Sequence, residues 1–257
     1  EEIGGYVIRS ILENYSNVPN EIQILLKKAY DEGKFKEQIT RGIAENFKVL
    51  PENIQSLLYE LADDEVNSVY VAKAVADKFE SLPREVREKL ILKLYRNRKT
   101  DVYIARALVR NFKTFPDTIQ FLLFDMIKND DTAEHISPVI LSNLNKLPED
   151  AAQDILFELT RKNIASTQVL RAIINNHPIL SKNAQNLLFS ILEKNKFDLA
   201  IAKILLENYS KLSGDGKKSL FKLLDEGKIN QKIINSLAQK KEYKNYIGSS
   251  SMQFIEP

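Results

Sequence analysis

Three sets of side chains recur along this chain at a fixed step, and each could do binding chemistry. The first is basic. Arg9, Arg41, Lys73, Arg106, Arg171 and Lys203 keep steps of 32 or 33 residues, with Pro138 taking the one missing place. An evenly spaced row of cations is what a run of phosphates would require. Four of these cations, however, are followed four residues on by an acid: Glu13, Glu45, Asp77 and Glu207. On a helix, residues four apart share a face, so the spacing predicts a ladder largely neutralised by its own acids. The second set is polar: Gln23, Gln55, Arg87, Gln120, Gln185 and Lys217, interrupted by Ala152. It is the candidate ligand-facing stripe, with plain solubility as the competing reading. The third is an asparagine column, Asn14, Asn46, Asn111, Asn143, Asn176 and Asn208, with Lys78 in the remaining place. Asn near a helix end bonds carbonyls of its own or the next turn, so this column reads as structural.

No pattern for catalysis accompanies them. The chain has no Gly-x-x-x-x-Gly-Lys, Gly-x-Gly-x-x-Gly, Gly-x-Ser-x-Gly or His-Glu-x-x-His. Of the two histidines, His135 follows Glu134, and His177 fills a place that is elsewhere aromatic; neither has a second histidine at ligand spacing, so no metal is expected. The pairs Asp63-Asp64 and Asp130-Asp131 fall in predicted loops, where solvation and helix-start charge account for them. Gly248-Ser249-Ser250-Ser251 reads as a polar loop. The expectation is a protein that is not an enzyme, without cofactor or metal.

The bulk numbers agree with an ordinary folded chain. Of 257 residues, 44% are hydrophobic and 28% charged, with 8 glycines and 8 prolines. There is no cysteine, which excludes disulfides and thiolate zinc. No apolar run approaches the roughly 18 residues of a membrane span. With an acidic start at Glu1-Glu2 and no signal pattern, the cytoplasm is the default location. The net charge of +2 hides alternating blocks: −6 over 1–65, +7 over 66–114, −7 over 115–160 and +8 over 161–257. Alternating blocks suit recognition of a complementary protein surface better than a continuous phosphate backbone.

The elements that must carry these columns follow from a repeat. Val18-Pro19, Leu50-Pro51, Leu82-Pro83, Phe115-Pro116 and Leu147-Pro148 are spaced by 32, 32, 33 and 32 residues, and Leu180-Ser181 and Leu212-Ser213 continue the series. Before each turn, apolar columns (Val7, Ile39, Val71, Ile104, Ile136, Val169, Ile201 and, four on, Ile11 to Leu205) flank a mostly small one that includes Ser10, Gly42, Ala74, Ala107 and Ala172. That spacing predicts a packed helix A. An aromatic, such as Tyr15, Phe47, Phe79 or Phe112, usually follows the Asn column. After each turn, Leu26, Leu58, Leu90, Leu123, Ile155, Leu188 and Leu220, with a second column four on, predict helix B. Proline is expected at the first helical position, Ser181 and Ser213 as side-chain caps, and Gly33 and Gly227 as left-handed helix ends. The units fall at about 3–35, 36–67, 68–100, 101–132, 133–165, 166–197 and 198–230, with a cap begun by Ile233 and Leu237 and a tail over 231–257. They make one array, since neither helix of a unit can bury its apolar face alone. Pro138, inside a helix A, predicts a bend or a shortened helix near 132–138.

Two antiparallel helices with proline at the turn resemble HEAT/armadillo-type repeats, in the short form of prokaryotic proteins. The phrases 46–51 and 78–83 are similar to repeats in sensor regions of large prokaryotic signalling NTPases. The resemblance implies an all-α, right-handed solenoid of about seven repeats plus a capping helix. It also implies a protein- or peptide-binding scaffold, adaptor or sensor segment, with helix B lining the concave face. The alternative expectation is nucleic-acid binding through basic patches in 66–114 and 161–257. A glycosylase-type enzyme would need a pocket holding a carboxyl of raised pKa.

Overall fold

The computed structural model describes residues 2–95, 97–164, 166–176, 180–194, 204, 208–212, 214 and 217. Expectations on His177, Ile201, Lys203, Leu205, Glu207 and Ser213 lie outside the described residues. So do those on everything from 218 on, including Leu220, Gly227, Ile233, Leu237 and Gly248-Ser249-Ser250-Ser251. Among the described residues there are twelve α-helices and no strand. They are α1 (Glu2–Glu13), α2 (Asn20–Asp31), α3 (Lys36–Asn46), α4 (Glu52–Asp63), α5 (Ser68–Asp77), α6 (Arg84–Leu94), α7 (Asp101–Arg110), α8 (Asp117–Lys128), α9 (Asp130–Ser142), α10 (Glu149–Arg161), α11 (Ser166–Asn176) and α12 (Lys182–Lys194).

The odd helices are the predicted A helices and the even ones the B helices. The first five pairs are joined in one way. The Asn-column residue leaves helical geometry, with φ between −119° and −110° at Asn14, Asn46, Asn111 and Asn143. A three-residue 3₁₀ turn follows, opened by the buried side chain of Tyr15, Phe47, Phe79, Phe112 or Leu144. The asparagine side chain satisfies a carbonyl of the helix it ends. Nδ2 of Asn14, Asn46, Asn111, Asn176 and Asn208 donates to the carbonyl four residues back, at 2.8–3.0 Å.

The prolines stand one residue earlier than expected. Pro19, Pro51, Pro83, Pro116 and Pro148 are N-caps with ψ between 147° and 157°, not first helical residues. An N-cap takes extended backbone while its carbonyl already accepts the first helical bond, and a ring-fixed φ suits that place. Ser181 caps α12 as expected, its Oγ accepting the Ala184 N–H at 3.2 Å. Gly33, at φ +73°, lets the Lys34 N–H close back to the Ala29 carbonyl at 2.8 Å. Asn163, at φ +58°, does the same after α10, with Ile164 N–H on the Leu159 carbonyl at 2.9 Å.

The chain divides into two compact units, residues 1–140 and 141–257. In the first, α1 lies against α3, α3 against α5 and α5 against α7, while α4 packs on α6 and each B helix on its own A helix. Ile39, Ile43, Val71, Ile104, Leu108, Leu90 and Leu123 are wholly buried there. Each such side chain contributes roughly 1.5–3 kcal/mol relative to exposure. In the second, α10, α11 and α12 pack on one another around Ile155, Leu159, Ile173 and Leu188. The first two A helices meet closely at Gly42, where an added Cβ would crowd Leu12 Cδ1.

Helix B alternates between two buried stripes. In α4, α8 and α12 the pairs Leu57 and Leu61, Leu122 and Met126, and Leu187 and Ile191 are buried. In α6 and α10 the same places hold Lys89 and Lys93, then Asp154 and Glu158. There the burial shifts around the helix to Ile91 and Leu156.

Pro138 does not shorten its helix: α9 runs through it from Asp130 to Ser142, which corrects the shortened-helix expectation. A proline at 138 leaves the Glu134 carbonyl without its N–H donor. Ser137 Oγ donates to the Ala133 carbonyl at 2.6 Å and reaches the Glu134 carbonyl at 3.2 Å, so the gap is covered from the neighbouring residue. Ser137→Ala is therefore expected to cost about 1 kcal/mol. Combined with Pro138→Ala, which restores the N–H, the same change is expected to cost clearly less. Urea unfolding of the two single variants and the double variant measures this coupling.

Candidate functional site

The polar stripe on helix B turns inward to the loop that precedes it. Nε2 of Gln23 donates to the carbonyls of Val18 at 2.9 Å and Tyr15 at 3.2 Å. Gln55 does the same with Leu50 and Phe47, both at 2.8 Å. Gln120 bonds the Phe115 carbonyl at 2.8 Å and Gln185 the Leu180 carbonyl at 2.9 Å. Each of these four amides thus clamps the carbonyl just before the Pro or Ser of its own turn. Arg87 is a variant of the clamp: Nη1 donates to the Phe79 carbonyl at 3.3 Å, and the guanidinium stacks 4.2 Å over the Phe79 ring. Lys217 stands 5.0 Å over the Tyr209 ring. Each of these six side chains is engaged within its own repeat.

The basic column is paired across repeats as well as within them. Arg9 bonds Glu45 through Nη2 at 2.8 Å and Nε at 3.2 Å, while Glu13 lies 3.6 Å away. Arg41 reaches the same Glu45 at 3.3 Å. Lys78, the exception in the Asn column, also pairs with Glu45, so its departure from asparagine has a purpose. Lys73 pairs with Glu37, and Arg106 stands 4.0 Å from Asp77. Glu45 is therefore the hub of three cations drawn from three successive repeats. Burial resists its ionisation, but the bonds from Arg9 and Lys78 outweigh that and hold the carboxyl at about 2.

The same pattern covers most of the basic block 66–114. Lys93 pairs with Asp63 at 2.6 Å, Lys99 with Glu65 at 3.0 Å and Arg98 with Asp131 at 3.6 Å. Arg84 pairs with Glu88 at 2.7 Å, and Lys89 sits 4.7 Å over Tyr59. Alternating charge along the chain becomes attraction between neighbouring repeats. The i,i+4 reading anticipated part of this network. The part it missed is signalled by acids standing about one repeat length from their cations, such as Glu45 from Arg9 and Glu37 from Lys73, both 36 residues apart.

The acidic pairs have structural partners. Asp63 is the partner of Lys93, and Asp64 Oδ1 accepts the N–H groups of Val66 at 2.9 Å and Asn67 at 2.8 Å, which hold its carboxyl below the usual range. Open hollows lie among the described residues of 1–140. One of about 400 Å³ lies between α1 and α3 beside Tyr6, Arg9, Arg41 and Glu45. One of about 510 Å³ lies between α2 and α4 beside Ile24, Lys27 and Asn53. One of about 830 Å³ is lined by Asp63, Glu65, Lys93, Asn97, Lys99 and His135, among others. The buried carboxyl of the described residues is Asp101, pushed up by burial and partly restored by a hydrogen bond from Thr132. It is 3% exposed and is not among the residues lining these three hollows. No group of three metal-ligating side chains exists among the described residues, and none of their helices is long and apolar enough to cross a membrane.

Comparison with protein-family models, curated proteins and solved structures finds no match to this chain.

Two outcomes follow from the geometry. Gln55→Ala removes two bonds from one turn and is expected to cost about 1–2 kcal/mol in urea unfolding. Glu45→Gln tests the hub through pH. The folded carboxyl at about 2 lies below the ordinary 4.5, so its stabilisation is full above pH 4.5 and is lost as pH falls toward 2. Thermal unfolding should show the variant less stable than the parent at pH 6, with the gap narrowing steadily between pH 4.5 and 2.

Proposed function

We propose that this chain is a non-catalytic scaffold that binds a protein or peptide. In this reading about seven HEAT-like repeats form a right-handed α-solenoid, closed by a capping helix within 231–257. It serves as the adaptor or sensor part of a signalling assembly. A cysteine-free chain suits the reducing cytoplasm.

The observation that carries the reading is a division of labour among side chains. The recurrent amides and most described cations of 66–114 are tied to the scaffold itself, whereas apolar side chains stand in solvent on the B helices. Ile24, Leu92 and Phe121 are at least half exposed within residues 1–140, and Phe157 is exposed within 141–257. Exposed aromatic and aliphatic groups ringed by charge favour a protein partner. A nucleic-acid duplex would instead need unpaired cations, and Lys73, Lys78, Lys93, Arg98, Lys99 and Arg106 all face acids.

The test is affinity capture from native lysate at roughly physiological salt, with and without nuclease, using the parent chain and a Leu92→Asp, Phe121→Asp variant. The expected result is a defined protein, retained after nuclease and lost with the variant, whose unfolding midpoint stays near the parent's because both side chains are already exposed. Capture of nucleic acid that disappears on nuclease treatment, or retention that ignores both substitutions, would sink the reading.

A further inference from the structure

Within residues 1–140, the A helices have two sides that differ by what covers them. One side faces the following repeat: Ile8 and Leu12 of α1 are 6% and 0% exposed, and Leu12 lies against Gly42 of α3. The other side faces the preceding repeat and carries three columns. The first holds Ile39, Val71, Ile104 and Ile136, all 0% exposed. The second is the mostly small column of Gly42, Ala74 and Ala107, all buried, with the larger, half-buried Val139 in α9. The third holds Ile43, Val75, Leu108 and Ile140, at most 1% exposed. In α1 the same three columns are open. Val7 is 52% exposed, Ser10 is exposed and Ile11 is partly so.

A repeat that ends an array carries a polar outer face in place of the core columns. The outer side of α1 keeps the aliphatic, small, aliphatic order of an internal repeat. We infer that this side of α1 is a docking surface whose occupant is one further helix pair of the same register, stacked on α1 as α1 stacks on α3. The established interface dictates what that pair must present. Gly42 receives the large Leu12, whereas Ala74 belongs to the helix stacked against α3, whose following-side residues are Thr40 and Ala44. Ser10 is close to alanine in size, so α1 calls for a partner helix with small residues in the places of Thr40 and Ala44. The inference rests on helix stacking within residues 1–140 and stands whether or not a captured partner bears out the proposed scaffold role.

The experiment duplicates residues 36–67 in register ahead of Gly4 in an otherwise full-length chain and follows unfolding and amide exchange. The expected results are a higher unfolding midpoint and slower exchange of α1 amides, by at least about tenfold. Val7→Lys supplies the control. It is expected to be nearly silent in the parent, where Val7 is half exposed, and to lower the midpoint by several degrees in the extended chain. Equal effects of Val7→Lys in both chains, or no gain from the duplication, would overturn the inference. So would sedimentation of the parent as a dimer that Val7→Lys dissolves, because the occupant would then be a second copy of this chain.

Discussion

The structure depends first on how closely neighbouring A helices approach. A unit of some 32 residues has too little interior to bury both of its apolar faces, so its helices must borrow a neighbour's. Between the first two A helices the loan rests on a missing side chain. Leu12 fits onto α3 because position 42 has no side chain, and Ala74 and Ala107 hold the same place further along. Once A helices are held at that distance, the adjoining aliphatic columns close completely. The rest of the architecture serves to repeat this contact at a constant interval.

Constant interval is a property of the turn, and the turn explains most of the recurrent polar chemistry. Each helix A must stop at the same place and each helix B must leave at the same angle. Asn14, Asn46 and Asn111 stop the first by taking a carbonyl of its last turn. Gln23, Gln55 and Gln120 fix the second by reaching back to the residue before proline. A polar residue conserving its place from repeat to repeat is thus what a buried turn needs, since its carbonyls have no helical partner. A binding surface has no such reason to be uniform, because a partner seldom shares the scaffold's period. The exposed apolar residues show no such uniformity: Leu92 and Phe121 occupy different places in their helices.

Much of this fold was legible in the sequence because its signals are periodic. The pairing of helices, the place of the turns and the aliphatic columns all follow from counting, and the Asn column declares its own role. What periodicity concealed was direction. The Gln column could be counted but not aimed, since the step of 32 does not tell whether an amide points to solvent or to its own loop. The shift of the buried stripe in α6, where Lys89 and Lys93 replace the leucines of α4, was present in the residues but diluted by averaging over repeats. Pro138 predicts a bend or a shortened helix; the helix is not shortened, and Ser137 Oγ lies within reach of the carbonyl that the proline leaves without a donor.

The charges show the same limit from another side. Read along the chain, the blocks of opposite sign look like surfaces offered to partners. Folding places consecutive repeats side by side, so acid and base 30 to 36 residues apart become neighbours, as Asp63 and Lys93, Glu65 and Lys99, and Arg9 and Glu45 do. Pairs as exposed as Arg98–Asp131 and Lys99–Glu65 add little to stability, whereas Glu45 is largely covered and shared by three cations. What these pairs do is join successive units, as Arg9 joins Glu45 and Lys73 joins Glu37. The charges thus link neighbouring units from outside, while the buried aliphatic columns hold them together from within.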